Sequence, residues 1–133
     1  MKKLFIFPLL LLLPLLICAC SGSEAKVTVS VKITVMDSET GYSGVLYQND
    51  SYGYKLGSPN VDGVLNALTK AEKINYFFDG SFITINNFNF FDALDNSYSR
   101  AWIVKINGTG GKGVFAEISE GDAIELTYIV FPH

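Results

Sequence analysis

The chain has 133 residues, 49% hydrophobic, 14% aromatic and 17% charged, with a formal net charge of −3. So many apolar and aromatic residues, without low-complexity tracts, exclude a disordered chain, because enough surface exists to offset chain entropy. The acidic balance excludes a nucleic-acid partner, which would call for a basic face.

Lys2 and Lys3 precede an apolar run from Leu4 to Ile17 broken by Pro8 and Pro14. A bilayer-spanning helix needs roughly 20 apolar residues, so this run suits a secretory signal better. Ile17-Cys18-Ala19-Cys20 has the form of a bacterial lipobox, with a small residue before the cut and a cysteine after it. Residues 1–19 are therefore expected to be removed, leaving 114 residues, about one small domain. Cys20 is expected to carry the lipid, and residues 20–26 form a polar tether. Two acyl chains give stable anchoring, since each buried methylene contributes about 0.8 kcal/mol. The expected location is the cell membrane or outer membrane, facing away from the cytoplasm. Losing Lys2 and Lys3 takes the ten basic residues to eight against 13 acidic, a net charge of −5.

From Val27 the chain alternates strictly: Val27, Val29, Val31, Ile33 and Val35 face one way and the polar residues between them the other. Period two with β-branched residues predicts a half-buried strand. Tyr42–Gln48 reads as its hairpin partner through the Asp37–Gly41 turn, and Asn49–Gly57, without clear period, reads as a loop. Ser58-Pro59 is expected to open a helix, with serine as cap and proline at the first helical position. Its apolar stripe is Val61, Val64, Leu65 and Leu68, and it ends near Lys70–Lys73. Ile74–Phe78 and Phe82–Ile85 read as strands around Asp79-Gly80. Asn86–Ser99 is a long connection, and Trp102–Ile106, Val114–Ile118 and the alternating Ile124, Leu126, Tyr128 and Val130 are further strands. Composition alone says α+β. Two strands, one helix and then several strands is the order of a β-grasp (ubiquitin-like) domain, a mixed sheet with one helix packed across it.

Ala101-Trp102-Ile103-Val104-Lys105-Ile106-Asn107-Gly108, followed by Glu120-Gly121-Asp122-Ala123-Ile124-Glu125 and Tyr128, resembles the transcobalamin C-terminal-like domain. Val61-Asp62-Gly63-Val64-Leu65-Asn66-Ala67-Leu68 is similar to the family's helix signature, so the likeness covers nearly all of residues 27–133. The resemblance implies a β-grasp fold in a bacterial surface lipoprotein. In animal relatives the domain forms one wall of a corrinoid site, so it also implies cobalamin as a bound ligand, with no other cofactor.

Candidate chemistry is sparse. Gly108-Thr109-Gly110-Gly111-Lys112-Gly113 matches G-x-G-x-x-G, but a dinucleotide site needs a strand before it and a helix after it, and here a strand follows. A flexible hairpin is the reading that fits. His133 is the only histidine and both cysteines lie at the cut, which excludes Ser-His-Asp and Cys-His catalysis and His/Cys zinc sites. Asp92, Asp95 and Asn96 offer oxygen ligands without the spacing of a calcium loop. Glu117, Glu120, Asp122 and Glu125 cluster near one hairpin, where Asp122 is expected to fix the turn and Glu125 to sit on the polar face of the last strand. No enzymatic activity is expected.

The surplus is aromatic: Tyr47, Tyr52 and Tyr54 in one predicted loop, and Phe88, Phe90, Phe91 and Tyr98 in another. Such rings stack on planar ligands, sugars or protein partners. The candidate ligand-binding residues are therefore Tyr52, Tyr54, Phe90, Phe91 and Tyr98, joined by Trp102, which the family resemblance implies. The expected partner is a small molecule, a corrinoid first, or else a surface protein docked through the same loops.

Overall fold

Strand β1 (Lys26–Asp37) carries the alternating valines and isoleucine, and Val29, Val31, Ile33 and Val35 are each at most 1% exposed. The computed structural model describes residues 26–55, 57–89 and 97–133. Phe90, Phe91, Asp92, Asp95, Asn96, Cys20 and the predicted signal and tether up to Ala25 lie outside the described residues. A turn held by the Asp37 carboxylate, which accepts from the Glu39 and Thr40 amides, leads into β2 (Tyr42–Lys55). Helix α1 (Val61–Lys70) follows, then a hairpin of β3 (Tyr76–Phe78) and β4 (Ile83–Ile85). The chain closes with β5 (Tyr98–Ile106), β6 (Thr109–Lys112) and β7 (Ala123–Pro132).

Five strands form one sheet in the order β2-β1-β7-β5-β6, with β1 parallel to β7 and the other pairs antiparallel, while β3 and β4 form a separate pair. Val35 of β1, Tyr128 of β7 and Trp102 of β5 lie side by side, as do Ile33, Leu126 and Val104. The inward face of β5 continues through Arg100 and Tyr98, because successive residues point to opposite faces.

The predicted α+β β-grasp class is corrected by this architecture: the chain is mostly β. The helix has ten residues, only about 15 Å of length, whereas β1 runs for 12 residues and β2 for 14, or about 40–45 Å. Val61, Val64, Leu65 and Leu68 of α1 are fully buried in the main core with β1 and β7, as the stripe predicts. Ile74, Tyr76 and Ile85 join that core, and a second cluster of Val35, Tyr128 and Val130 lies beside it.

Three boundaries also differ from expectation. The helix begins at Val61 with Asn60 as its cap, the Asn60 carboxamide accepting from the Gly63 amide at 2.8 Å. Ser58 and Pro59 instead spend their carbonyls elsewhere, on Asn60 and Ile118. Residues 49–55 are strand, so Tyr52 and Tyr54 do not sit in a loop. Val114–Ile118 is not a strand: its Val114 and Ala116 carbonyls accept from the Asp62 and Val61 amides and so satisfy the start of α1.

The glycine-rich segment is a hairpin, as its context predicts. Asn107 (φ 52) and Gly108 (φ 79) turn β5 into β6 with both residues left-handed, which suits a tight two-residue connection. Asp122 fixes the neighbouring turn, accepting from the Asn107 side chain and the Ser119 amide, each at 2.8 Å.

Candidate functional site

The inward face at the Asp37 end of the sheet is aromatic. Trp102 meets Tyr128 at 5.2 Å between ring centroids, Tyr128 meets Phe88 at 5.4 Å, and Phe88 stacks on Tyr42 at 6.0 Å and 14°. Two polar tips fasten this ladder to the segment after β4. The Trp102 indole donates to the Phe88 carbonyl at 3.0 Å and the Tyr128 hydroxyl to the Asn89 carbonyl at 2.7 Å. Trp102 thus has a structural task, yet it stays half-buried rather than enclosed.

Beside the ladder lies a groove of about 240 Å³ between Ser81–Ile83 and β5, with Phe82, Trp102 and Tyr128 as its aromatic wall and Arg100 also lining it. Ser81, Phe82 and Ala101 are exposed, so the groove opens to solvent along them. Arg100 is buried, and its Nη2 donates to Glu39 Oε2 in the β1–β2 turn. A larger depression of about 320 Å³ lies on the opposite face of the sheet, lined by Lys32, Thr34, Glu125 and Thr127 together with the exposed Met36 and Val45. Glu125 therefore sits on the polar face of the last strand, as expected.

The predicted site residues do not come together. Tyr54 is a core residue, 5% exposed, whose hydroxyl donates to the Ser58 carbonyl at 2.8 Å. Tyr52 packs on the edge of the same core, and burial first, then the neighbouring Tyr47 and Tyr54, push its hydroxyl pKa above the ordinary range. β1 and β7 separate this pair from Tyr98 and Trp102 on β5, about 14 Å across three strand spacings and, since Tyr52 lies opposite Val29 and Trp102 in the row of Val35, about 20 Å further along the sheet. Tyr98 and Trp102 both pack against the Val35 cluster. Arg100, Phe82 and Tyr128 were missed by sequence reasoning. Extending the β5 alternation backward from Trp102 by one step would have placed an arginine on the inward face.

A half-buried pair elsewhere carries a pH dependence. The Tyr76 hydroxyl donates to Asp62 Oδ1 at 2.6 Å, and burial, that hydrogen bond and the Asp62 charge push the tyrosine pKa well above its ordinary value. A raised folded-state pKa contributes stability that is full below the unfolded value near 10 and is lost as pH rises through the folded value. Urea denaturation is therefore expected to show stability falling from about pH 10 upward. Tyr76→Phe is expected to flatten that fall while costing roughly 1–2 kcal/mol at neutral pH. An equally steep alkaline fall in the variant would refute the assignment.

No helix among the described residues is long and apolar enough to cross a membrane. In comparisons with known proteins, no family model matches the chain and no curated protein matches it in sequence.

Proposed function

We propose that this chain is a non-catalytic, lipid-anchored binding protein outside the cytoplasm that holds a small organic ligand against Trp102, Tyr128 and Phe82. The observation that carries this reading is the solvent-open, aromatic-walled groove of about 240 Å³ beside Trp102. Ligand sites are concave, mostly apolar and furnished with a few polar groups, and typically measure about 300–1,000 Å³. This groove is at the small end, so it takes one ring or substituent of a ligand, with the remainder against the exposed rim. The lipobox at Cys20 supports the anchor, and the lack of an internal histidine or, once Cys20 is lipidated, of a free thiol supports binding without turnover.

A corrinoid is the first ligand to test, on the strength of the sequence resemblance. Trp102 is the only tryptophan, so its fluorescence reports this face of the sheet alone. Titration of the full chain in detergent micelles with cobalamin is expected to quench Trp102 saturably at micromolar ligand, after correction for corrin absorbance. No saturable change up to high micromolar concentration would remove the corrinoid from the proposal.

A second reading, a protein-docking module, has its own observation. Phe77 and Phe115 are 63% and 62% exposed, and Phe115 meets Phe78 edge-on at 5.6 Å. Exposed aromatic rings of this kind suit a protein surface.

A further inference from the structure

Among the described residues, no element packs on the outward face of the sheet. Helix α1 and the β3–β4 pair join the core on the inward face, and the depression on the outward one is lined by β1, β2 and β7 alone. Met36 is 56% and Val45 53% exposed there. One row across this face runs Val45, Thr34, Thr127 and Ile103. The row on one side of it sets Met36 beside Ile129, and the row on the other side sets Lys32 beside Glu125. Lys32 and Glu125 are exposed, and among the described residues neither forms an ion pair. Large apolar side chains open to solvent on a sheet face are what a second layer covers.

The face is its own complement. A twofold axis running along the strands between β1 and β7 sets β1 over β7 of a second copy, and β2 over its β5. Met36 then meets Ile129 of the second copy, Val45 meets Ile103, Thr34 meets Thr127 and Lys32 meets Glu125, each contact made twice. An axis lying on β7 instead would set Lys32 over Lys105 and Glu125 over its own counterpart, so charge selects the first. We infer that two copies of the chain pair through this face, sheet on sheet, about 10 Å apart and with strands aligned to about 30°. This goes beyond the binding reading, because the groove beside Trp102 is on the inward face and stays open in each copy. Both copies keep one strand direction, so their Lys26 ends lie on the same side of the pair, as two chains anchored in one membrane require. Four strands by the seven residues from Ser30 to Met36 give a footprint of about 19 Å by 23 Å, roughly 440 Å² per copy. A standard interface takes about 800 Å² per partner, so this pairing is weak in solution and favoured by shared confinement on a membrane.

Sedimentation velocity of the full chain in density-matched detergent micelles is expected to show single chains at micromolar concentration giving way to pairs toward millimolar. Lys32→Glu and Glu125→Lys each turn both attractions across the axis into repulsions, and each is expected to weaken pairing about tenfold. An equimolar mixture of the two variants restores both attractions and is expected to pair as tightly as the native chain. Both substitutions are at exposed positions, and Trp102 fluorescence checks that the variants are folded. Val45→Asp, also exposed, serves as an independent variant, expected to weaken pairing with no rescue on mixing with either of the others. A native chain that stays single up to millimolar concentration would overturn the inference. So would pairing that none of the folded variants weakens, which would put the contact on another surface. Charge variants that weaken pairing but are not rescued by mixing would overturn the proposed axis and the self-pairing built on it.

Discussion

Replacing Glu39 by alanine is expected to destabilise the fold by roughly 3–5 kcal/mol, because it strands the Arg100 guanidinium in the interior without a counter-charge. Such a loss is a large fraction of the roughly 5–15 kcal/mol by which domains are stable. The cost comes from the partner left behind rather than from the worth of the ion pair. A double variant, Glu39→Leu with Arg100→Met, is accordingly expected to recover most of the loss, since two apolar side chains replace two buried charges. Urea denaturation followed by Trp102 fluorescence measures both. A single variant within about 1 kcal/mol of the native chain would show that Arg100 finds water or another acceptor when Glu39 is gone.

Gly63→Ala is the second variant with a large expected effect, and its sign runs against helix propensity. Alanine in a helix interior is favoured over glycine by about 1 kcal/mol, and Gly63 lies in the third position of α1. A Cβ there would collide with the Tyr54 hydroxyl and with the Ser58 carbonyl oxygen. Those two atoms are hydrogen-bonded to each other, so the intrusion also breaks that bond. Overpacking of about 1–3 kcal/mol together with about 1 kcal/mol for the bond outweighs the propensity gain, for a net loss of roughly 1–3 kcal/mol. Adding Tyr54→Phe is expected to relieve only part of it, because the Ser58 carbonyl belongs to the backbone and cannot swing away. A more stable Gly63→Ala protein by thermal denaturation would contradict the packing described for β2 against α1.

The two strands with unbroken alternation, β1 and β7, were legible in the sequence, as was the apolar stripe of α1. β2 was only half legible, and the reason is geometric. Val29 pairs with Tyr52 but Val31 with Asn49, so β2 spends one extra residue there, and it does so again between Tyr47 and Val45. Each bulge shifts the alternation by one position. The first brings Tyr47 to the same face as Tyr52 and Tyr54, and the second frees Leu46 to pack on the core. A search for period two finds a broken pattern and reads a loop, which is how Tyr52 and Tyr54 came to look like surface rings.

The mixed-fold expectation failed for a related reason, because the strand content hidden in residues 49–55 and 98–101 outweighs one short helix. Val114–Ile118 misled in the other direction. Its apolar residues are spaced like a strand, but its carbonyls are spent on the first amides of α1. The candidate site was less legible than the fold. Trp102, offered by the family resemblance, lines the groove, whereas Tyr98 packs on the Val35 cluster and does not line it; Arg100 was invisible as long as the strand was taken to start at its first large apolar residue. Strand order, which parts Tyr52 and Tyr54 from Trp102, is set by long-range pairing and leaves no trace in local spacing.

The direction in which β1 runs has a consequence for access. The strand starts at Lys26, and its far end, at Val35, stands beside Tyr128 and Trp102 in the sheet. Nine residues of extended backbone put about 30 Å between the two ends. Whatever precedes Lys26 therefore joins the sheet at the end opposite the aromatic rows, and leaves the approach to the groove beside Trp102 clear of that junction.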